Sequence, residues 1–144
     1  MADTFSPTQR RRIMQAVKSG DTKPEMVVRR LVHRLGYRYR LHDRRLPGQP
    51  DLVLPRLQTV IFVHGCFWHR HHCPSGRSMP ASRVDYWGPK FDRTIRRDRS
   101  HARKLRRLGW RVLTVWECQT TARRREQLAR RLACYLSRAD ARVD

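Results

Sequence analysis

Apolar positions along this chain change their period several times, and each change marks an element. Val27, Val28, Leu31, Val32 and Leu35 recur every three or four residues, the spacing of one helix face. Thr22-Lys23-Pro24-Glu25 stands just before them, joining a capping hydroxyl, a proline for the first turn and a capping-box glutamate. Gly36 ends that helix. An earlier helix is predicted from Ser6-Pro7-Thr8-Gln9 to about Lys18, carrying Arg10, Arg11 and Arg12. From Tyr37 to His42 the pattern alternates, as in a half-buried strand. Leu46-Pro47-Gly48-Gln49-Pro50 is a turn, and Asp51 to Leu54 a short apolar strand stopped by Pro55. Thr59 to His64 holds an unbroken run, Val60 to Val63, which predicts a central strand buried on both faces.

Residues 65 to 89 hold no period and read as irregular. Lys90 to Leu108 predicts a long basic helix with Phe91, Ile95, Ala102, Leu105 and Leu108 as its apolar stripe and Gly109 at its end. Asp98 falls on that stripe. Trp110 to Trp116 is rich in β formers, and a last amphipathic helix follows from about Thr121 with Leu128, Leu132 and Leu136 on one face. The order α-α-β-β-β-α-β-α belongs to the α/β class, a mixed sheet flanked by helices. The length of 144 residues suits one domain, 1–144, with 137–144 as a flexible tail.

Charge narrows the partners. Lys and Arg total 33 against 12 Asp and Glu, a net charge of +21. Such self-repulsion points to a polyanion, with nucleic acid first. No stretch approaches the roughly 18 apolar residues that span a bilayer, and Met1 to Pro7 lacks the apolar core of an export signal. The four cysteines do not suggest a small secreted disulfide scaffold, so a reducing compartment with free or metal-bound thiols is expected.

The chemistry is concentrated in Cys66-Phe67-Trp68-His69-Arg70-His71-His72-Cys73. Thiols at this spacing with imidazoles between them can close round zinc. Cys118, just past the last strand, would supply a further ligand if that strand ends beside Val63. A Cys3His set would then brace the irregular loop. Any of His69, His71 and His72 could be the histidine. Cys134, among apolar residues of the last helix, is expected in the core. Phe67 and Trp68 would be pinned outward, where aromatics can stack on bases. Asp51 opens a strand where a ligand can reach it, and Asp98 on an apolar face needs a partner such as His, Arg or metal-bound water. A strand-borne aspartate holding Mg²⁺, with His64 or His69 as proton acceptor, suits phosphodiester hydrolysis. Both aspartates also fit structural roles, as a turn cap and an ion pair, and Glu25 a helix cap.

The sequence resembles the very short patch repair (Vsr-type) DNA mismatch endonucleases. The matching segments are Asp21-Thr22, Leu46 to Asp51, Val60-Ile61-Phe62-Val63-His64-Gly65-Cys66-Phe67-Trp68-His69, His71-His72-Cys73, Arg97-Asp98 and Leu108 to Cys118. They lie in a match over roughly residues 8 to 136. The resemblance implies a restriction-endonuclease-like fold with a structural zinc site. It implies nicking of one strand 5′ of the T in a T·G mismatch left by deamination of 5-methylcytosine. Asp51 would bind Mg²⁺ together with the Val63 main-chain carbonyl, which serves equally where the family usually has Thr. His69 would be the general base in place of the lysine of restriction-type nucleases. Asp98 would orient it, and His64 and Glu25 would support the site. Zinc would take Cys66, His71, Cys73 and Cys118. Phe67, Trp68 and Trp87 would wedge into the base stack, with Arg10, Arg11 and Met14 on a DNA-contacting helix within residues 1–20. The resemblance implies a monomer, nucleoid-associated in a bacterial cytoplasm, alongside other mismatch-repair proteins. The rival expectations are a zinc-stabilised DNA-binding protein without catalysis, and a restriction-type nuclease acting on intact duplex.

Overall fold

A computed structural model describes residues 21–80 and 83–143. The helix expected before Lys18, with Arg10, Arg11 and Met14, lies outside them. Helix α1 spans Lys23–Arg34. The Glu25 N–H donates to Thr22 Oγ1 at 3.4 Å, so the cap is the one the sequence announces. Val28, Leu31 and Val32 are buried. Leu35, expected with them, is 37 % exposed because the chain turns away at Gly36.

The sheet runs β1 (Arg40–Leu41), β2 (Leu52–Leu54), β3 (Thr59–His64) and β4 (Arg111–Trp116), side by side in that order. The first two pairings are antiparallel and β3–β4 is parallel. Strand β1 is shorter than the alternation at Tyr37–His42 predicts: Tyr37 to Tyr39 have no ladder partners, and His42 takes a φ of +47° and leaves the ladder at the other end. As the apolar run implies, β3 is buried on both faces. Leu52, Leu54, Ile61, Leu113 and Val115 pack toward α1 and the last helix, while Val53, Val60 and Phe62 meet Leu105 on the other side.

Residues 65–80 and 83–89 are more ordered than their composition suggests. A single turn, α2 (Pro74–Arg77), lies in the first stretch, and the long helix α3 (Val84–Arg107) starts six residues before Lys90. Pro89 therefore sits inside α3. It forfeits one hydrogen bond, a loss offset by Trp87 and Phe91, which the extra turns bring into a buried cluster. Leu108, expected on the stripe, is 61 % exposed at the C-cap.

Helix α4 (Arg125–Val143) follows two 3₁₀ turns, Glu117–Gln119 and Ala122–Arg124. Leu128, Leu132, Leu136 and Ala139 form its buried face. Residues 137–143, expected as a tail, are helical, and Ala139 packs into the core. Cys134 is exposed rather than core, since it lies on the far side of the helix from Leu132 and Leu136. The whole is a mixed four-stranded sheet flanked by helices, as in restriction-endonuclease-like folds.

Candidate active site and metal cluster

Strand register explains why distant cysteines meet. The parallel pair matches Val63 with Val115 and His64 with Trp116. Cys66 and Cys118 therefore leave the sheet together, and the Cys118 N–H donates to Cys66 Sγ at 3.4 Å. The His71 N–H donates to the Cys66 carbonyl at 3.0 Å. That turn brings His71 Nδ1 to 3.8 Å from Cys66 Sγ and 3.6 Å from Cys118 Sγ. Cys73 completes a group whose four ligand atoms lie within 4.8 Å of one another. Burial pushes the Cys66 thiol up to about 12. At Cys73 burial also acts upward, but hydrogen bonds from Gly76 and the neighbouring thiols win and hold it below its ordinary value. Three clustered thiols and an imidazole fit a closed tetrahedral site, and this set could hold zinc. Gly76 is part of the design, because a Cβ there would collide with the His71 carbonyl. The three histidines thus separate: His71 joins the thiols, His72 is exposed, and His69 lines a cleft.

The cleft encloses about 1370 Å³ between the sheet and α3. At its wall, His69 Nδ1 lies 2.6 Å from Asp98 Oδ2. The Asp98 partner demanded by its place on the stripe is therefore this imidazole. A carboxylate only accepts, so Nδ1 carries the proton and Nε2 is left as an acceptor. His64 stacks on His69 with ring centroids 3.8 Å apart and planes 6° from parallel. Burial, then the neighbouring His69, push His64 down to about 3, so its ring is neutral. Asp51 also lines the cleft, and the Val63 N–H donates to its Oδ2 at 2.7 Å. Burial first, and then Glu25, push Asp51 up to about 7. Glu25 is 1 % exposed and bonded to Arg29 at 3.3 Å, so it does more than cap its helix. Arg97, Arg99, Arg103 and Arg106 line the same cleft and give it the sign of a phosphate-binding surface.

Two contributors escape sequence reasoning. His42 contacts both oxygens of Glu25 at 2.9 Å. His101 packs so closely on Gly48 that a Cβ there would lie 2.8 Å from its Nδ1. Both depend on tertiary contacts with no local signature, although His101 follows Asp98 by three residues on one helix face.

The aromatics differ from expectation in placement. Trp68 and Trp87 are 9 % and 1 % exposed, packed with Phe91 and half-buried Phe67. Trp68 and Trp87 rings lie 5.5 Å apart, and Phe67 meets Phe91 at 5.2 Å. Phe67-Trp68 thus turn largely inward instead of projecting from the loop. Arg70 caps the cluster 4.1 Å above the Phe91 ring, and Lys90 lies 5.1 Å from Trp68. Among the described residues Trp87 Nε1 is buried without a hydrogen-bond partner.

Comparison with known proteins gives this geometry a family. Residues 2–75 match the model of the family DNA mismatch endonuclease Vsr. The chain is 50 % identical over 119 residues to the type II nicking enzyme V.XorIIP of Xanthomonas oryzae, covering 83 % of this chain and 87 % of that protein. It is 39 % identical to the DNA mismatch endonuclease Vsr of Escherichia coli, covering 100 % of this chain and 95 % of that protein. Type II nicking enzyme V.NmeAIP of Neisseria meningitidis is 40 % identical over 83 % of this chain and 84 % of its own. Among the described residues no helix is long and apolar enough to cross a membrane. Catalysis is thereby decided over the non-catalytic alternative: the chain belongs to the Vsr family of DNA mismatch endonucleases and is a DNA-cleaving hydrolase.

Proposed function

We propose that this endonuclease nicks one strand on the 5′ side of the T in a T·G mismatch left by deamination of 5-methylcytosine, by Mg²⁺-dependent hydrolysis. The observation that carries the reading is the 2.6 Å contact between His69 and Asp98 at the wall of a basic cleft. His69 takes a proton from the attacking water at Nε2, and Asp98 stabilises the imidazolium through Nδ1–H. His64, stacked and neutral, holds the ring plane without opposing its charge. Asp51 and the Val63 main-chain carbonyl offer hard oxygen donors that fit Mg²⁺. When bound, the ion supplies charge neutralisation at the phosphate and leaving oxygen. Cys66, His71, Cys73 and Cys118 would hold zinc and tie the His69 loop to the sheet. Phe67, Trp68 and Trp87 would enter the stack beside the mismatch by leaving the cluster in which they pack in the free protein, with Arg10, Arg11 and Met14 against the duplex. Unstacking costs a few kcal/mol per step and least where pairing is already poor, which favours the mismatch. The protein works as a monomer on bacterial DNA in the cytoplasm, alongside other mismatch-repair proteins.

The test is nicking of matched and T·G duplexes in Mg²⁺ or in EDTA, by the parent and by Asp51→Ala. The expected product is a single nick, formed only with T·G and Mg²⁺ and lost in Asp51→Ala. Equal nicking of matched duplex would overturn the mismatch reading, and nicking in EDTA the metal reading.

A further inference from the structure

Behind Asp51 stands a residue that this chemistry does not use. His42 departs from β1 at a φ of +47°, a region that non-glycine residues enter only when their surroundings hold them there. Two bonds depend on that conformation. The His42 N–H donates to the Asp51 main-chain carbonyl at 3.1 Å. Its Nε2 lies 2.9 Å from each oxygen of the Glu25 carboxylate. Because a carboxylate accepts, Nε2 is the donor. One residue thereby joins the end of β1, the start of β2 and helix α1. His42 also lines the cleft.

Glu25 is buried and needs donors for both oxygens. Arg29 reaches one of them at 3.3 Å and is drawn away by Asp21 at 2.6 Å. His42 is the partner that spans both. The Glu25 charge acts on Asp51 and raises its carboxyl pKa, so the two carboxylates are electrostatic neighbours. Two carboxylates so placed repel unless a proton or a cation lies between or beside them. Their separation therefore governs how well a cation is held.

We infer that His42 is a positioning residue for the divalent-cation site: it fixes Glu25 against Asp51 by holding both Glu25 oxygens and the Asp51 main chain. The inference rests on the Mg²⁺ reading above. It is tested by the Mg²⁺ dependence of nicking on a T·G duplex, with zinc content and DNA affinity in EDTA-free, Mg²⁺-free buffer measured alongside. In His42→Ala the half-maximal Mg²⁺ concentration should rise by about 10-fold or more, the scale seen when a ligand's supporting partner is removed. Zinc content and DNA affinity should stay as in the parent. His42→Gln, whose amide can still donate to Glu25, should recover most of the loss. In a Glu25→Gln background, which leaves Nε2 one acceptor oxygen, His42→Ala should shift the midpoint less than it does in the parent.

An unshifted midpoint in His42→Ala overturns the inference, as does equal impairment in His42→Gln or full additivity with Glu25→Gln. Should His42→Ala not fold, His42→Asn takes its place, since its shorter amide falls short of Glu25. A midpoint equal to that of His42→Gln then overturns the assignment. Parent activity that survives EDTA would overturn the metal reading itself, a different outcome from a Mg²⁺-dependent parent with an indifferent His42.

Discussion

His69 carries its proton on the nitrogen that faces Asp98. Asp98→Asn would present an amide there and free the ring to turn or change tautomer. Nicking should fall by about 10²–10⁴-fold, the usual worth of a placed acid–base group, while affinity for T·G duplex is retained. Two buried groups give the fold opposing pH dependences. His64 is held at about 3 against 6.5 in the unfolded chain, so its contribution is present above 6.5 and lost as pH falls toward 3. Asp51 is raised from 3.8 to about 7, so its contribution is present below 3.8 and lost as pH rises through 7. By pH 5 each amounts to about 2–3 kcal/mol, with opposite signs. Urea midpoints at pH 8 and pH 5, with zinc and without Mg²⁺, separate them. Asp51→Asn should lose more stability in acid than the parent, and His64→Asn should gain. At this scale the sequence reaches far but stops at the histidines. Spacing marks His69, His71 and His72 alike as ligands, and only a main-chain bond from His71 to Cys66 sends one ring to the thiols.

The turn from Leu46 to Asp51 shows how an element delivers a side chain. Gly48 sits at a φ of +77° against His101, and the Gln49 N–H closes the turn on Leu46 at 3.0 Å. Gly48→Ala should cost about 1–3 kcal/mol of stability and reduce nicking, by displacing Asp51. His101→Gly should restore part of the stability, since the contact is relieved but the backbone strain is not. Thermal melts of both single variants and the pair check this. Elements with a strong period are legible in the sequence alone: α1, β3, β4 and the buried face of α4. The misreadings share one cause. Pro89 argues locally for a break and His42 locally for a strand, yet the aromatic cluster keeps one inside a helix and Glu25 pulls the other out of a sheet.

For the whole molecule, charge and the candidate zinc cluster set the expected behaviour. The logarithm of the DNA association constant should fall with the logarithm of salt by about 0.9 per phosphate neutralised. A slope near zero would remove the basic cleft from the account of binding. Cys118→Ser should lower bound zinc and, by freeing the 65–80 loop from β4, abolish nicking more completely than it weakens DNA binding. Zinc analysis beside a binding titration distinguishes the two effects. Overall architecture was readable because helix and strand periods follow from local sequence. The cleft was not, because it exists only once α3 lies across the sheet.

The aromatic packing has an optical consequence. Of four tryptophans, Trp68 and Trp87 lie 5.5 Å apart with planes tilted by 50° within one cluster, close enough for their excited states to couple. Trp116 instead stacks on His71 with ring centroids 4.4 Å apart, beside the thiols. Removing zinc should therefore alter emission from Trp116, a change lost in Trp116→Phe. Entry of Trp68 and Trp87 into a base stack should abolish their mutual circular-dichroism couplet. The protein thus carries two built-in chromophores, one beside the candidate zinc site and one in the proposed base wedge, readable in the same cuvette without a label.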